Sequence, residues 1–311
     1  MAKYRVLSLD GGGIRGIITI ILMQRLSAES GLEGWLDQVN LVAGTSTGGL
    51  IALGIAKGLK PEQMRSLYET KGTEIFDDSW LDDVLDLGTL IGAQYDNKKL
   101  AHNVWKIFKN TTLGELQKPV LITTFDLDNE AKTPDQRTWK PKLFHNVPGK
   151  DNDANSLAYK VALYTAAAPT YFPVVDGYLD GGVFANNPSM CALAQTQDSR
   201  NDLRPGLDEV VLLSLGTGTS LTYITGKDLD WGMAQWVKPL INLMLDGVGG
   251  IADYQCKQIL CDRYYRLAPK FAPGVSIPMD AVKRLPEMID LAQKAPLEEA
   301  VAWLKTNWVN E

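Results

Sequence analysis

Apolar positions along the chain come in short runs, each broken by a glycine-rich turn and followed by a longer apolar stretch. Tyr4 to Leu9 is apolar and partly β-branched, stops at Asp10-Gly11-Gly12-Gly13, and precedes an apolar segment from Ile14 to Leu26. Length and flanking glycines predict a strand, a turn and a buried helix. The unit recurs at Val39 to Ala43, followed by Gly44-Thr45-Ser46-Thr47-Gly48-Gly49 and the helix-forming run Leu50 to Lys57. Two strand-turn-helix units within the first sixty residues predict a parallel sheet covered by helices.

Further elements follow from local signals. Pro61 suits the first turn of a helix over Glu62 to Thr70, and Asp96 or Asn97 is placed to cap a helix from Lys98 to Lys109, with Leu100, Val104, Ile107 and Phe108 on one stripe. Pro119 to Phe125 reads as a central strand and Arg137 to Phe144 as one nearer an edge. A helix is expected over Ser156 to Ala168, stopped by Pro169; Tyr178-Leu179 leads as a strand into Asp180-Gly181-Gly182; and Glu209 to Leu215 is the strongest strand signal. Beyond Ser220 the pattern predicts helices near Trp231 to Leu245 and Gly249 to Leu260, a strand over Arg263 to Leu267, and a helical tail from Leu297 to Trp308. No repeat or low-complexity linker interrupts the chain, so one domain over residues 1–311 is expected, with a core over about 4–218 and a helical extension over about 220–311.

Composition narrows the chemistry. Forty-five per cent hydrophobic and 22% charged residues is an ordinary globular balance. Lys+Arg 31 against Asp+Glu 37 gives a net charge of −6, which disfavours nucleic acid as a partner because the basic field that attracts phosphate backbones is missing. Cys191, Cys256 and Cys261 are too few and too irregular for a disulfide framework or a zinc site. The opening MAKYRVLSLD has no apolar leader, and the richest apolar stretch is broken by Gln24 and Arg25. A cytoplasmic protein without a transmembrane segment is expected, any membrane contact being peripheral. Asp151-x-Asp153-x-Asn155 begins like a calcium loop, but Ser156 and Ala162 occupy the glycine and glutamate positions, so no metal is expected there.

Two glycine turns carry candidate chemistry. Gly11-Gly12-Gly13-Ile14-Arg15-Gly16 has the spacing of a dinucleotide fingerprint, yet Glu33, the acid at the right distance, precedes the second strand instead of ending it. A P-loop sequence is also missing, and no cofactor is expected. Gly44-Thr45-Ser46-Thr47-Gly48 is G-x-S-x-G between a strand and a helix, the context of a nucleophile elbow. A serine nucleophile needs a base, and with His102 or His145 in that role the Ser-acid-His order of α/β-hydrolases requires an acid between Ser46 and the histidine, a triad that stays open. Asp180, held between a strand and two glycines, offers a carboxylate base instead.

Three blocks then fall together: Asp10-Gly11-Gly12-Gly13-Ile14-Arg15-Gly16; Gly44-Thr45-Ser46-Thr47-Gly48; and Ala167-Ala168-Pro169-Thr170-Tyr171-Phe172-Pro173 with Leu179-Asp180-Gly181-Gly182-Val183 and Asn186-Asn187-Pro188. In order and context this sequence resembles the patatin-like phospholipases, including the calcium-independent phospholipases A2. The resemblance implies a three-layer α/β/α sandwich with a mainly parallel sheet and hydrolysis of lipid acyl esters, phospholipids or galactolipids, by a Ser-Asp dyad. By position it makes Ser46 the nucleophile, Asp180 the base and Gly11, Gly12 and Gly13 the oxyanion hole, with Arg15, Gly44, Gly48 and Gly181 as supporting positions. Two other readings stay open: a general esterase or thioesterase using the same dyad, and an effector silent until a small-molecule activator binds, as in the bacterial nucleotide-activated phospholipases it also resembles.

Overall fold

The computed structural model describes residues 3–76, 95, 97–226 and 229–309. Its strands are β1 (Tyr4–Leu9), β2 (Leu41–Thr45), β3 (Val120–Asp126), β4 (Lys140–His145), β5 (Tyr178–Asp180), β6 (Val210–Leu215) and β7 (Tyr264–Leu267), which join into one sheet. The order is β4-β3-β2-β1-β6-β7. From β3 to β7 every pairing along this path is parallel, while β4 and β5 both run antiparallel to β3. The expected edge position of the 137–144 segment is therefore met by β4.

Alternation along the strands divides the core in two. Leu7, Leu9, Val42, Ile122, Val211 and Leu213 point into one cluster, and Val6, Leu41, Ala43, Leu121, Val210 and Leu212 into the other. The first is covered by α1 (Gly16–Ser27), α2 (Thr47–Lys57), α4 (Lys98–Phe108), α5 (Ala158–Ala166), α9 (Leu285–Lys294) and α10 (Glu298–Asn307). The second lies under α7 (Ser189–Thr196) and α8 (Met233–Leu260). Helices on both faces of a sheet buried on both sides make three layers, as the continuous apolar strands require. Two further helices, α3 (Pro61–Phe76) and the short α6 (Gly182–Ala185), flank the carboxyl ends of the strands.

Helix α1 is buried on nearly all sides, which explains its apolar run Ile17-Ile18-Thr19-Ile20-Ile21-Leu22-Met23: it joins the core cluster of the strands and packs against α9 and α3. Arg25 near its end donates to the carbonyls of Ala292 and Ala295, both at 2.7 Å, satisfying backbone acceptors where α9 ends. The tail is locked by Trp308, fully buried, whose Nε1 donates to the Trp35 carbonyl at 3.0 Å.

Two local expectations are corrected. Asn97 does not cap α4: its side chain donates to the Pro173 carbonyl at 3.1 Å, a tertiary bond that outcompetes the local one, and Asp96 lies outside the described residues. The separate helices expected over Trp231 to Leu245 and Gly249 to Leu260 are one continuous α8, so the glycines between and within them do not break the helix. Each interior glycine costs about 1 kcal/mol relative to alanine, an amount that tertiary packing overrides. Helix α9, with Pro286 in its first turn, adds an element that was not expected; its Leu285, Met288 and Ala292 recur at helical spacing and it packs against α1.

Candidate active site

The elbow forms because β2 must turn sharply into α2. Ser46 has φ 54° and ψ −127°, a strained conformation for a residue with a side chain, held by what surrounds it. A Cβ on Gly44 would lie 2.2 Å from the Gly48 carbonyl oxygen, and one on Gly48 would lie 2.2 Å from the Leu9 carbonyl oxygen. Only glycine permits these approaches. The Ser46 amide donates to Thr165 Oγ1 at 2.8 Å, and the Thr165 hydroxyl donates to the Thr123 carbonyl at 2.7 Å, tying the elbow to α5 and β3.

Sheet topology brings in the carboxylate. Strand β4 runs along one edge of β3 from Leu121 to Asp126, so β2 and β5 share the other edge. Thr45 of β2 pairs with Thr123, and Asp180 of β5 pairs with the next residue, Thr124. Asp180 therefore arrives where β2 ends and Ser46 turns away. The Ser46 side chain lies close enough to the Asp180 carboxylate to favour its charged form, and the Gly182 amide donates to Asp180 Oδ1 at 2.7 Å. Gly181 is required by contact: a Cβ there would lie 2.3 Å from Thr123 Oγ1.

Asp180 is 4% exposed, and burial pushes its carboxyl up to about 7 although the neighbouring Ser46 side chain and the Gly182 amide favour the charged form. A carboxyl titrating there is poised to exchange a proton near neutral pH.

The first glycine turn packs against the elbow. A Cβ on Gly11 would lie 3.2 Å from Ser46 Cβ and 2.3 Å from Asn186 Oδ1. Gly12 and Gly13 have φ 155° and φ 59°. The Gly11 amide donates to the Asn186 carbonyl at 2.9 Å, whereas among the described residues the Gly12 and Gly13 amides have no acceptor. Arg15 reaches back from the helix start: its Nε donates to the Gly12 carbonyl at 3.3 Å and its Nη1 to the Ile277 carbonyl at 3.4 Å.

Beside Ser46 opens a cavity of about 1100 Å³, counting the space at its mouth. Ser46, Thr47 and Gly13 line it together with Leu50, Met64, Leu67, Val104, Ile107 and Phe108 from α2, α3 and α4, while Lys71 and Asn103 are its polar exceptions. Such a volume with apolar walls suits an extended aliphatic chain.

The histidines sit elsewhere. His102 is exposed on α4. His145 pairs with Leu121, three positions back along β3 from the Thr124 that meets Asp180, and is surrounded by Asp153, Lys142, Asp198 and Arg200. Burial lowers its pKa, so the imidazole is held neutral.

Several supporting groups were not legible in advance. Asp10 forms a two-point ion pair with Arg266 of β7, at 2.6 and 3.2 Å, and Arg266 also donates to Ser214 Oγ at 2.7 Å. This pair pins the start of the glycine turn to the far side of the sheet. Thr217 Oγ1 donates to the Gly11 carbonyl at 2.7 Å, and Asn187 accepts from the Ser189 amide at 3.0 Å. Thr165, Thr217 and Arg266 carry no sequence signal, because each acts through a contact more than fifty residues away.

Residues 7–193 match the family model described as patatin-like phospholipase. A cGAMP-activated phospholipase of Pseudomonas aeruginosa is 30% identical over 290 residues, covering 91% of this chain and 83% of that protein. Patatin-like protein 1 of Oryza sativa subsp. indica is 29% identical, covering 81% of this chain and 69% of its own. The 85/88 kDa calcium-independent phospholipase A2 of Mus musculus is 29% identical over 89% of this chain, which spans 36% of that larger protein. With a family model covering more than half its length and a relative of this similarity, the chain belongs to the patatin-like phospholipases, a family of lipid acyl hydrolases.

Proposed function

We propose that this protein hydrolyses fatty-acyl esters of membrane lipids, phospholipids or galactolipids, through a Ser46–Asp180 dyad. The observation that carries the reading is the buried Asp180 carboxylate brought beside Ser46 by adjacent positions of β3, next to two amides that have no acceptor among the described residues and an apolar cavity that Ser46 lines. Asp180 takes the Ser46 proton as Oγ attacks the ester carbonyl, forming a tetrahedral intermediate. The Gly12 and Gly13 amides receive the developing negative charge, and Gly11 contributes its missing side chain, which lets the turn lie against Ser46. Collapse expels the lysolipid, which takes the proton from Asp180 and leaves an acyl-serine. Water, deprotonated by Asp180, then releases the fatty acid and restores Ser46. Arg15 holds the turn through its bond to the Gly12 carbonyl.

The test is fatty-acid release from phosphatidylcholine vesicles by wild type, Ser46→Ala and Asp180→Asn. Release by wild type and its loss in both variants is expected; undiminished release by Ser46→Ala would remove the dyad. Comparing long-chain lipids with short soluble esters and thioesters separates this reading from a general esterase or thioesterase.

A second reading is favoured by the cGAMP-activated relative, which aligns with 91% of this chain: hydrolysis waits for a cyclic dinucleotide. Release that appears only when cGAMP is added supports it, and equal rates with and without cGAMP count against it.

A further inference from the structure

The outer face of α8 has a composition that water alone does not explain. Met233, Leu240, Leu243, Met244, Ile251 and Tyr254 are 47% to 84% exposed. At 100° per residue they share one side of the helix, together with Gly247, and form a stripe of about 32 Å. No charged residue interrupts it. The opposite side, carrying Ala252, Cys256 and Leu260, is buried against the sheet. The acids of α8 meanwhile face groups of the protein: Asp253 accepts the Tyr264 hydroxyl at 2.8 Å, and Asp246 lies in the field of Arg15. A surface helix ordinarily does the reverse, so an apolar outer face opposite an apolar inner one marks a contact surface.

We propose that this stripe is the face by which the protein seats on a lipid bilayer. The choice of occupant rests on the lipid-hydrolase reading and on continuity with the reaction site. A Cβ on Gly182, two residues from Asp180, would lie 3.2 Å from Leu245 Cδ2, so the helix that carries the stripe packs directly beside the carboxylate. Arg15 lies in the field of both Asp246 on α8 and Tyr171 of the cavity wall, which brings α8 and that wall to one residue. The aromatic rings of Trp231 and Trp236, with centroids 5.0 Å apart, stand at the amino-terminal end of the helix, and Tyr223 is exposed in the segment before it. Amphipathic rings beside an uncharged apolar stripe suit the boundary between headgroups and acyl chains.

Seated this way, α8 lies flat on the bilayer and presents the Ser46 cavity to lipid at the surface. The stripe carries no cationic side chain, so binding is driven by apolar burial and depends only weakly on salt.

The experiment is flotation of the full chain with vesicles of phosphatidylcholine, carried out in a Ser46→Ala background so that the lipid is not consumed. Leu243→Glu with Ile251→Glu is compared with Leu203→Glu, an equally apolar and exposed position on the loop between α7 and β6. The stripe variant is expected to bind at least about tenfold more weakly, and the control within about twofold of the parent. Matching near-ultraviolet circular dichroism and melting temperature establish that each variant is folded, and Leu240→Gln, a milder change, repeats the comparison if the double variant is not. Undiminished vesicle binding by a folded stripe variant overturns the proposal. So does a parent that does not float, or a parent dimer that the stripe variant converts to monomer with vesicle binding intact, since the stripe would then belong to a second copy. Floating parent protein whose wild-type form releases no fatty acid would sink the catalytic reading while leaving the surface in place.

Discussion

Replacing Asp180 by asparagine removes a charge that the fold holds at a cost. Its carboxyl is pushed up to about 7 in the folded chain against 3.8 for an ordinary aspartate, because burial outweighs the opposing influence of the Ser46 side chain and the Gly182 amide. Ionising it in place therefore costs about 4 kcal/mol, at about 1.4 kcal/mol for each pH unit between the two values. The sign follows from proton binding: between pH 3.8 and about 7 the folded chain holds a proton that the unfolded chain has released, so folding stability falls as pH rises through that window. Asparagine keeps the shape and the acceptor for the Gly182 amide without the charge. At pH 8 Asp180→Asn should thus be more stable than wild type by about 4 kcal/mol, and at pH 4 nearly equal to it. With an unfolding entropy of about 2.1 cal/mol/K per residue, the gain corresponds to a melting temperature about 6 °C higher at pH 8. Differential scanning calorimetry of both proteins from pH 4 to 8 measures the gap directly, with Ser46→Ala as a control that leaves the carboxylate in place. A gap that does not widen with pH, or a variant that melts lower at pH 8, would refute the reasoning.

Three further outcomes follow from the same geometry. With Asp180 as the base, kcat/KM on a soluble ester should rise with pH to a half-maximum near 7; a profile flat from pH 5 to 8 would remove Asp180 from that role. Gly12→Ala forces a side chain to within 2.3 Å of Thr217 Oγ1 at a backbone angle that alanine avoids, so it should displace the amide and lower kcat by about 10² or more while circular dichroism stays native. Val104→Trp fills the apolar cavity from α4; release of long-chain fatty acids should fall at least about tenfold relative to butyrate esters, and equal loss on both would show that the cavity does not take the chain.

Much of this arrangement was legible in the residues, for reasons that can be stated. Strand β1, the elbow and the two glycine turns combine a period with forced glycine positions, and each keeps its meaning without tertiary context. Asp180 was different. It is 134 residues from Ser46, and β5, which delivers it, is three residues long, too short to carry an alternation. What joins them is the edge of β3 that β2 leaves at Thr123 and β5 takes up at Thr124, a feature of topology and not of local pattern. The family resemblance supplied that juxtaposition where spacing could not. Asn97 and the break expected between Leu245 and Gly249 read wrongly because local signals there yield to longer-range ones: a bond to Pro173 in the first case, packing of Cys256 and Leu260 in the second. The division of labour within the glycine turn was likewise hidden, since only the structure reveals that the Gly11 amide is committed to Asn186.

The most direct test of the Ser46–Asp180 dyad is intact-mass analysis after fluorophosphonate treatment, followed by peptide mapping. Wild type should acquire a single adduct on Ser46, Ser46→Ala none, and Asp180→Asn the same adduct at a much lower rate. Modification of a different residue, or an adduct on Ser46 that forms as fast in Asp180→Asn as in wild type, would contradict the dyad.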